Sequence, residues 1–297
     1  MKQVKQTINT MLMFAMVAGM TTFNACKEDE KKDESLPPIG GYNSADEVAS
    51  TSLVAKWSFD ENYNESKGNL TGVNNGGSLV NGKKGKAYQG ASGAYVAYND
   101  AGASLPALKS FTTSFWFKTE KHDGGAQSVF MLSKDSAFWG NFFFLIEGRP
   151  LTDSMFCKVH FEKNDAPAWK EQWIEFNGSN MLPGAHGKWN HVAFSYDAAT
   201  SKFAMYLNGN KMTLPAGMTD RYGDDPSTGG APLGNLNFKD AKKFVIGGFQ
   251  NNLGAPWSAP EPWMLNYTGA LDEMRIYNKA LADADVKALY DLENAGR

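Results

Sequence analysis

The chain of 297 residues lacks an excess of charge of one sign, a long apolar run and the short motifs of several enzyme classes. Its formal net charge of -3 is not the clustered basic excess that nucleic-acid binding requires. The N-terminal apolar run, residues 11–20, is shorter than the roughly 20 residues that a membrane-spanning helix needs. The Gly-x-Ser-x-Gly elbow of serine hydrolases is missing, and His186 and His191 have no third zinc ligand nearby in the sequence.

The composition is that of a folded, strand-rich protein. Hydrophobic residues make up 42% and charged residues 21%, which excludes disorder of the whole chain. Thirty glycines, together with an aromatic content of 13%, favour short strands joined by many turns.

The first 25 residues have the features of a signal peptide. Lys2 and Lys5 precede the apolar run, and the segment ends in Phe-Asn-Ala-Cys at residues 23–26. This tetrad resembles a bacterial lipobox, which implies cleavage before Cys26 and acylation of that cysteine. An ordinary signal peptide followed by a coincidental cysteine is the alternative interpretation.

Residues 26–50 are interpreted as a flexible tether. The charged run at 27–34 has no strand or helix period, and it is similar to the surface-export signal of Bacteroidetes lipoproteins. If Cys26 carries lipid, Cys157 is the only remaining thiol and no intrachain disulfide can form. We therefore expect a lipid-anchored protein of the outer membrane or cell surface.

From residue 51 onward, apolar and polar residues alternate in short segments. Leu53, Ala55 and Trp57 share one strand face, for example. Strands are predicted at 53–59, 111–118, 127–133, 141–147, 155–162, 172–176, 192–196, 203–207, 244–249 and 268–277. Only residues 283–293 have a convincing helical pattern, with Asp283 as N-cap. The sequence thus predicts an all-β, two-sheet antiparallel sandwich with one short C-terminal helix.

Six motifs occur in an order that resembles a laminin-G-like jelly roll of the concanavalin A-like lectin/glucanase superfamily. They lie at residues 57–60, 85–87, 111–116, 189–193 with 206–209, 244–248 and 269–281. The likeness covers about 51–297. It implies carbohydrate binding as the commonest role, with glycoside hydrolysis in some branches and protein adhesion in others. Surface lipoproteins of this type in Bacteroidetes resemble parts of glycan-uptake systems, so other glycan-uptake proteins are candidate partners.

The sequence lacks the acidic triplet that would favour glycoside hydrolysis. Glycosidases need two carboxylates flanking the scissile bond, and the resemblance would place them in a Glu-x-Asp-x-Glu strand triplet that this sequence lacks. Glu175 stands alone in its predicted strand. A carboxylate pair assembled from distant loops stays open as an alternative.

A structural calcium ion is a second open question. Residues 60–65 offer side-chain oxygens at alternate positions, which suits a hard cation. The resemblance implies that Asp60, Asn62 and Asp272 are the metal ligands. The alternative is that Asp60 and Asn62 only shape the turn, while Asp272 bonds to the backbone.

The long connection at 250–267 is the candidate ligand-binding segment. Its prolines stiffen it, and indole rings combine an apolar face for a sugar ring with an N–H donor. The candidate ligand-binding residues are Trp257, Trp263, Tyr267, Asn251, Asn252 and Trp139. Phe138, Trp169 and Trp173 join this surface or belong to the core. Equally, the tryptophans could plug the edge of the sandwich.

These observations lead to a functional hypothesis. The chain is expected to be a lipid-anchored surface protein whose non-catalytic, lectin-like domain captures a poly- or oligosaccharide, with no role in nucleic-acid binding. A glycoside hydrolase of the same fold and a protein-binding adhesin or assembly subunit are the alternatives.

Overall fold

The computed structural model describes residues 36–297, which form two β-sheets of eight strands each. This architecture confirms the predicted two-sheet sandwich. The strands are β1 (Leu53–Trp57), β2 (Val73–Asn75), β3 (Ser78–Asn81), β4 (Lys86–Gln89), β5 (Tyr95–Tyr98), β6 (Phe111–Lys118), β7 (Ala126–Leu132), β8 (Phe142–Glu147), β9 (Cys157–Glu162), β10 (Glu171–Phe176), β11 (Asn190–Asp197), β12 (Lys202–Leu207), β13 (Asn210–Lys211), β14 (Phe244–Ile246), β15 (Met264–Asn266) and β16 (Ala270–Tyr277).

The two sheets have the crossed connections of a jelly roll. The first sheet has the order β13-β12-β11-β6-β16-β4-β3, and β1 also pairs with β16. The second has the order β10-β9-β8-β7-β14-β5-β2. Every named pair is antiparallel except β15, which pairs in parallel with the start of β7.

The helices are few and short. The α-helices are α1 (Ala216–Thr219) and α2 (Asp283–Asn294), and short 3-10 helices occur at Ala45–Glu47, Ser50–Ser52, Gly178–Asn180, Pro226–Thr228 and Gln250–Leu253. The predicted helix is therefore α2, but Asp283 is its first helical residue and Ala282 is the N-cap. Within residues 36–297, no helix is long and apolar enough to cross a membrane.

Two predicted strands end earlier than the alternation suggested, and in both cases the backbone turns into the left-handed region. Phe59 has φ 58°, so β1 ends at Trp57 even though the Phe59 ring remains buried. Gly247, at φ 77°, ends β14 in the same way.

An aromatic core fills the space between the sheets. Phe115 of the first sheet meets Phe144 of the second edge to face, with ring centres 5.4 Å apart, and Trp57 stacks on Phe244 at 5.1 Å. Such rings bury large apolar areas in preferred orientations. Cys157 is a buried free thiol in this core, as the alternation in its strand predicted.

The compact domain begins before the predicted boundary at residue 51. It runs from Pro37 to Arg297, and Ala45 and Val48 are buried in the cluster that also contains Leu289 of α2. Residues 37–50 are thus part of the fold. The predicted signal peptide at 1–25, Cys26 and the charged run lie outside the described residues.

Candidate functional site

The outward face of the second sheet carries an apolar cluster separate from the core. In β8, Phe142 and Phe144 face the core, while Phe143 and Leu145 point to the opposite side, as strand alternation requires. Antiparallel pairing aligns Phe143 of β8, His160 of β9 and Trp173 of β10 in one row across the strands. The His160 ring stacks on Phe143 at 4.5 Å and meets Trp173 edge to face at 4.4 Å.

Two loop-borne tryptophans complete this row. Trp139 stacks on Phe143 at 5.6 Å and meets Trp173 at 5.0 Å, and Trp263 lies 5.7 Å from Trp139 between ring centres. Trp139, Trp173 and Trp263 line an open cleft of about 300 Å³. The Trp263 side chain is 37% exposed, so an aromatic surface is available there to a ligand.

Charged side chains form one edge of the cleft. Lys158 of β9 lies 2.9 Å from Glu147 and 3.3 Å from Glu175, measured from its Nζ to a carboxylate oxygen. Burial alone would lower the pKa of Lys158, but the two carboxylates outweigh burial and raise it. Glu147 and Lys158 line the cleft themselves, and they supply hydrogen-bond acceptors and donors beside the indole rings.

Three linked polar side chains, His160, Glu162 and Lys134, lie beside the aromatic row. His160 Nε2 lies 3.4 Å from Glu162, and the other oxygen of Glu162 accepts a 2.5 Å hydrogen bond from Lys134 Nζ. Burial lowers the pKa of His160 despite the nearby carboxylate. For Glu162, burial acts to raise the pKa, but His160 and Lys134 hold it below the ordinary value. This pairing satisfies charges that would be costly to bury alone.

Gln250 fastens the loop that carries Trp139. Its side-chain amide is fully buried, accepts a hydrogen bond from the Lys134 N–H and donates to the carbonyl oxygens of Ala137 and Phe138. On the other side of the cleft, the Ala126 N–H donates to the Trp263 carbonyl. These hydrogen bonds hold both tryptophan-bearing connections next to the sheet.

The predicted site residues divide into two groups. Trp139 and Trp263 are brought together in the cleft. Trp257 does not line it: its indole N–H donates to the Lys134 carbonyl at 3.1 Å, and the Lys243 ammonium lies 5.7 Å from its ring centre. Trp257 is half-buried and holds its loop in place.

Three other predicted site residues do not line the cleft. Tyr267 is fully buried in the main core, and its hydroxyl donates to the Ala270 carbonyl, so its ring cannot stack on a ligand. Asn251 is also buried and donates to the Ser258 carbonyl. Asn252 accepts the Phe249 N–H and caps a turn. The prediction treated 250–267 as one exposed loop, whereas β15 within it pairs with β7.

The sequence interpretation missed Glu147 and Lys158 and left Trp173 undecided. Two of these residues could have been predicted to face away from the core, since the alternation in β9 and β10 places Lys158 and Trp173 outside it. What the sequence could not supply was the cross-strand register that sets these side chains beside Trp139.

Two of the three predicted calcium ligands, Asp60 and Asp272, contact the turn between β3 and β4. Asp60 accepts the Lys86 N–H, Asp272 accepts the Lys84 N–H, and Asn62 accepts the N–H of Asn64 within its own turn. Within residues 36–297, no group of three or more His, Cys, Asp or Glu is arranged to hold a metal ion. Oxygen donors suit calcium, but here they bond to the backbone, and calcium binding stays a prediction.

Several solved structures share this fold. Domain 4 of AbnA, a GH43 extracellular arabinanase from Geobacillus stearothermophilus solved with arabinotriose, matches with a TM-score of 0.52 and 20% identity, over 80% of this chain and 98% of that domain. The binding domain of botulinum neurotoxin DC in complex with rat synaptotagmin II matches with a TM-score of 0.53 and 15% identity, over 82% of this chain and 52% of that chain.

A structure of botulinum neurotoxin type C, whose cell entry is dependent upon interaction with two ganglioside molecules, matches with a TM-score of 0.53 and 12% identity, over 82% of this chain and 51% of that chain. The chain thus spans about half the length of the toxin domains. No curated protein matches it in sequence. The Laminin_G_3 model matches residues 90–244, just over half of the sequence. The chain therefore belongs to this family of the concanavalin A-like lectin/glucanases superfamily.

Proposed function

We propose that the domain is a non-catalytic carbohydrate-binding module whose site is the cleft between Trp139, Trp173 and Trp263. The observation that carries the proposal is a row of indole rings, partly open to solvent, with Glu147 and Lys158 at its edge. Indole faces suit the C–H surface of a sugar ring, and the charged edge suits its hydroxyl groups. The fold neighbours solved with arabinotriose or studied for ganglioside interaction support this reading.

The charges of the cleft favour a neutral glycan. Lys158 is the only cationic side chain among the residues that line the cleft, and two carboxylates already pair with it. A uronate or sulfate group would therefore find no free counter-ion and would approach Glu147 and Glu175. Like charges brought together at a partly desolvated site weaken binding.

A panel of neutral and acidic polysaccharides, followed by titration calorimetry on the glycans retained, tests the proposal. We expect binding to neutral glycans that Trp263→Ala abolishes or weakens strongly. If no glycan is retained, or if Trp263→Ala binds as the wild type does, the proposed site is wrong.

The hydrolase alternative is tested with the same glycans. Glu147 and Glu175 are ion-paired to one ammonium group, whereas hydrolysis requires one carboxyl group to deliver a proton and the other to act as base or nucleophile. We expect no shorter product chains after prolonged incubation.

The adhesin or assembly-subunit alternative needs a different experiment. A pull-down from solubilised outer membrane that captures partners while no glycan binds would favour it.

We further propose that the domain is anchored by lipid at Cys26, on the outer membrane or cell surface. The support is the sequence at residues 23–26 and the charged run behind it. Metabolic labelling with radioactive palmitate should mark the protein, and Cys26→Ala should remove both the label and membrane retention. Membrane retention of unlabelled Cys26→Ala would contradict this anchor.

A further inference from the structure

A second cleft adjoins the first at Trp173. It has a volume of about 420 Å³, and its lining includes Trp169, Trp173, Asp220, Arg221 and Tyr222. Trp173 lines both clefts. The two depressions therefore lie side by side at the β10 edge of the second sheet, with one indole ring common to both walls.

The walls of the second cleft are held by partly buried hydrogen bonds. The Trp169 N–H donates to the Gly223 carbonyl at 2.9 Å. The Gln172 side chain is buried and donates to the carbonyl oxygens of both Trp169 and Tyr222. The segment before β10 and the segment after α1 are thus fastened to each other, so the cleft is pre-formed, and a pre-formed site loses less entropy on binding.

The chemistry of the second cleft repeats that of the first. Trp169 is 45% exposed and offers an indole face. Asp220 is ion-paired with Lys202 at 2.5 Å, and Arg221 donates to the carbonyl oxygens of Asp220 and Gly217. Since a guanidinium has five N–H donors, Arg221 keeps donors for a ligand hydroxyl. Glu171 and Asp220 outnumber Arg221 among the charged side chains of the lining, so the cleft has no excess positive charge to attract an acidic sugar.

We propose that Trp169, Arg221 and Tyr222 form a second sugar subsite, so that the ligand is a neutral oligosaccharide chain that crosses Trp173 and occupies both clefts. This inference rests on the proposed function of the first cleft. It adds that recognition depends on chain length, because Trp169 lines the second cleft and not the first, so a longer chain would gain a contact there.

The test compares disaccharides with hexasaccharides of the cello-, xylo-, manno- and arabino-series by titration calorimetry. Wild-type protein should bind a hexasaccharide about tenfold more tightly than the matching disaccharide. Trp169→Ala should abolish this gain while leaving disaccharide affinity unchanged. Val73→Ala is the matched control, because Val73 is an exposed apolar residue on β2, at the opposite edge of the same sheet.

The possible outcomes separate the two claims. Equal affinity of the wild type for both lengths, or an equal loss for both lengths in Trp169→Ala, refutes the second subsite alone. Absence of binding to every oligosaccharide refutes the proposed function and this inference together. Wild-type length dependence is measured without any variant, so the inference is testable even if Trp169→Ala unfolds, and thermal melting reports whether it does.

Discussion

Replacing Trp263 by alanine is the most direct test of the cleft. A tryptophan side chain offers up to about 250 Å² of surface, and Trp263 is 37% exposed. Roughly 90 Å² is therefore free for a ligand to cover, which at about 25 cal/mol per Å² corresponds to about 2 kcal/mol. The expected loss is about thirtyfold in Kd, measured by titration calorimetry with the glycan that the wild type binds best.

Trp257→Ala is the matched control for this experiment. Trp257 lies in the same loop but outside the cleft, where it donates a hydrogen bond to Lys134 and packs near Lys243. Its removal should cost about 1–3 kcal/mol of unfolding free energy through the lost hydrogen bond and cation–π contact. Glycan affinity per folded molecule should change less than twofold.

The reasoning is refuted if the two variants behave alike in binding. Equal loss of affinity would mean that the whole loop, and not the cleft-lining ring, determines recognition. If Trp263→Ala binds the glycan with unchanged affinity, the cleft is not the binding site. Urea unfolding of both variants keeps binding defects separate from loss of folded protein.

Three further predictions concern the residues that the structure assigns to the fold. Tyr267→Ala should lower the unfolding free energy by about 3–5 kcal/mol, because the ring is fully buried; a variant as stable as wild type in urea would contradict the core assignment. Burial raises the pKa of Asp272 to about 7, above its value in the unfolded chain. The folded state therefore binds this proton more tightly, and the unfolding free energy should rise as the pH falls from about 7 to about 4, by about 4 kcal/mol at most. Asp272→Asn should weaken this dependence without abolishing it, because burial also raises the pKa of Glu293 to about 7; identical pH profiles would rule out the titration of Asp272. If calcium binds at Asp60, Asn62 and Asp272, millimolar calcium should raise the melting temperature relative to EDTA. The increase should be smaller in Asp60→Asn. Equal melting temperatures in calcium and in EDTA would refute the calcium hypothesis.

Long, regular strands were predictable from the sequence, and most of the short ones were not. Phe111–Lys118 was predicted with its observed bounds, since large apolar residues alternate along its whole length. β2 to β5 each have four residues or fewer, and Val73 in β2 is exposed, so no periodic signal marks them. Segments this short are specified by pairing with neighbours rather than by their own pattern.

For the proposed binding surface, the residue types were predictable from the sequence but their arrangement was not. Tryptophans near residues 139 and 263 were identified, but their separation in sequence says nothing about a ring contact at 5.7 Å. Tyr267 shows the converse error, because its aromatic ring and loop position suited a ligand while the parallel pairing of β15 with β7 carries it into the core. Register and loop path are tertiary facts that one sequence does not display.

The cleft joins two structural parts that are constrained in different ways. Trp173 and Lys158 stand on adjacent strands, so the ladder of β9 and β10 fixes their spacing. Trp139 and Trp263 stand on connections, and Gln250 and the parallel pairing of β15 hold those connections against the sheet. Because connections tolerate changes that strands do not, the strand side should set the direction in which a glycan lies. Sugar preference should then depend on the side chains of the loops at 134–139 and 250–263 that face the cleft, Trp139 and Trp263 first among them.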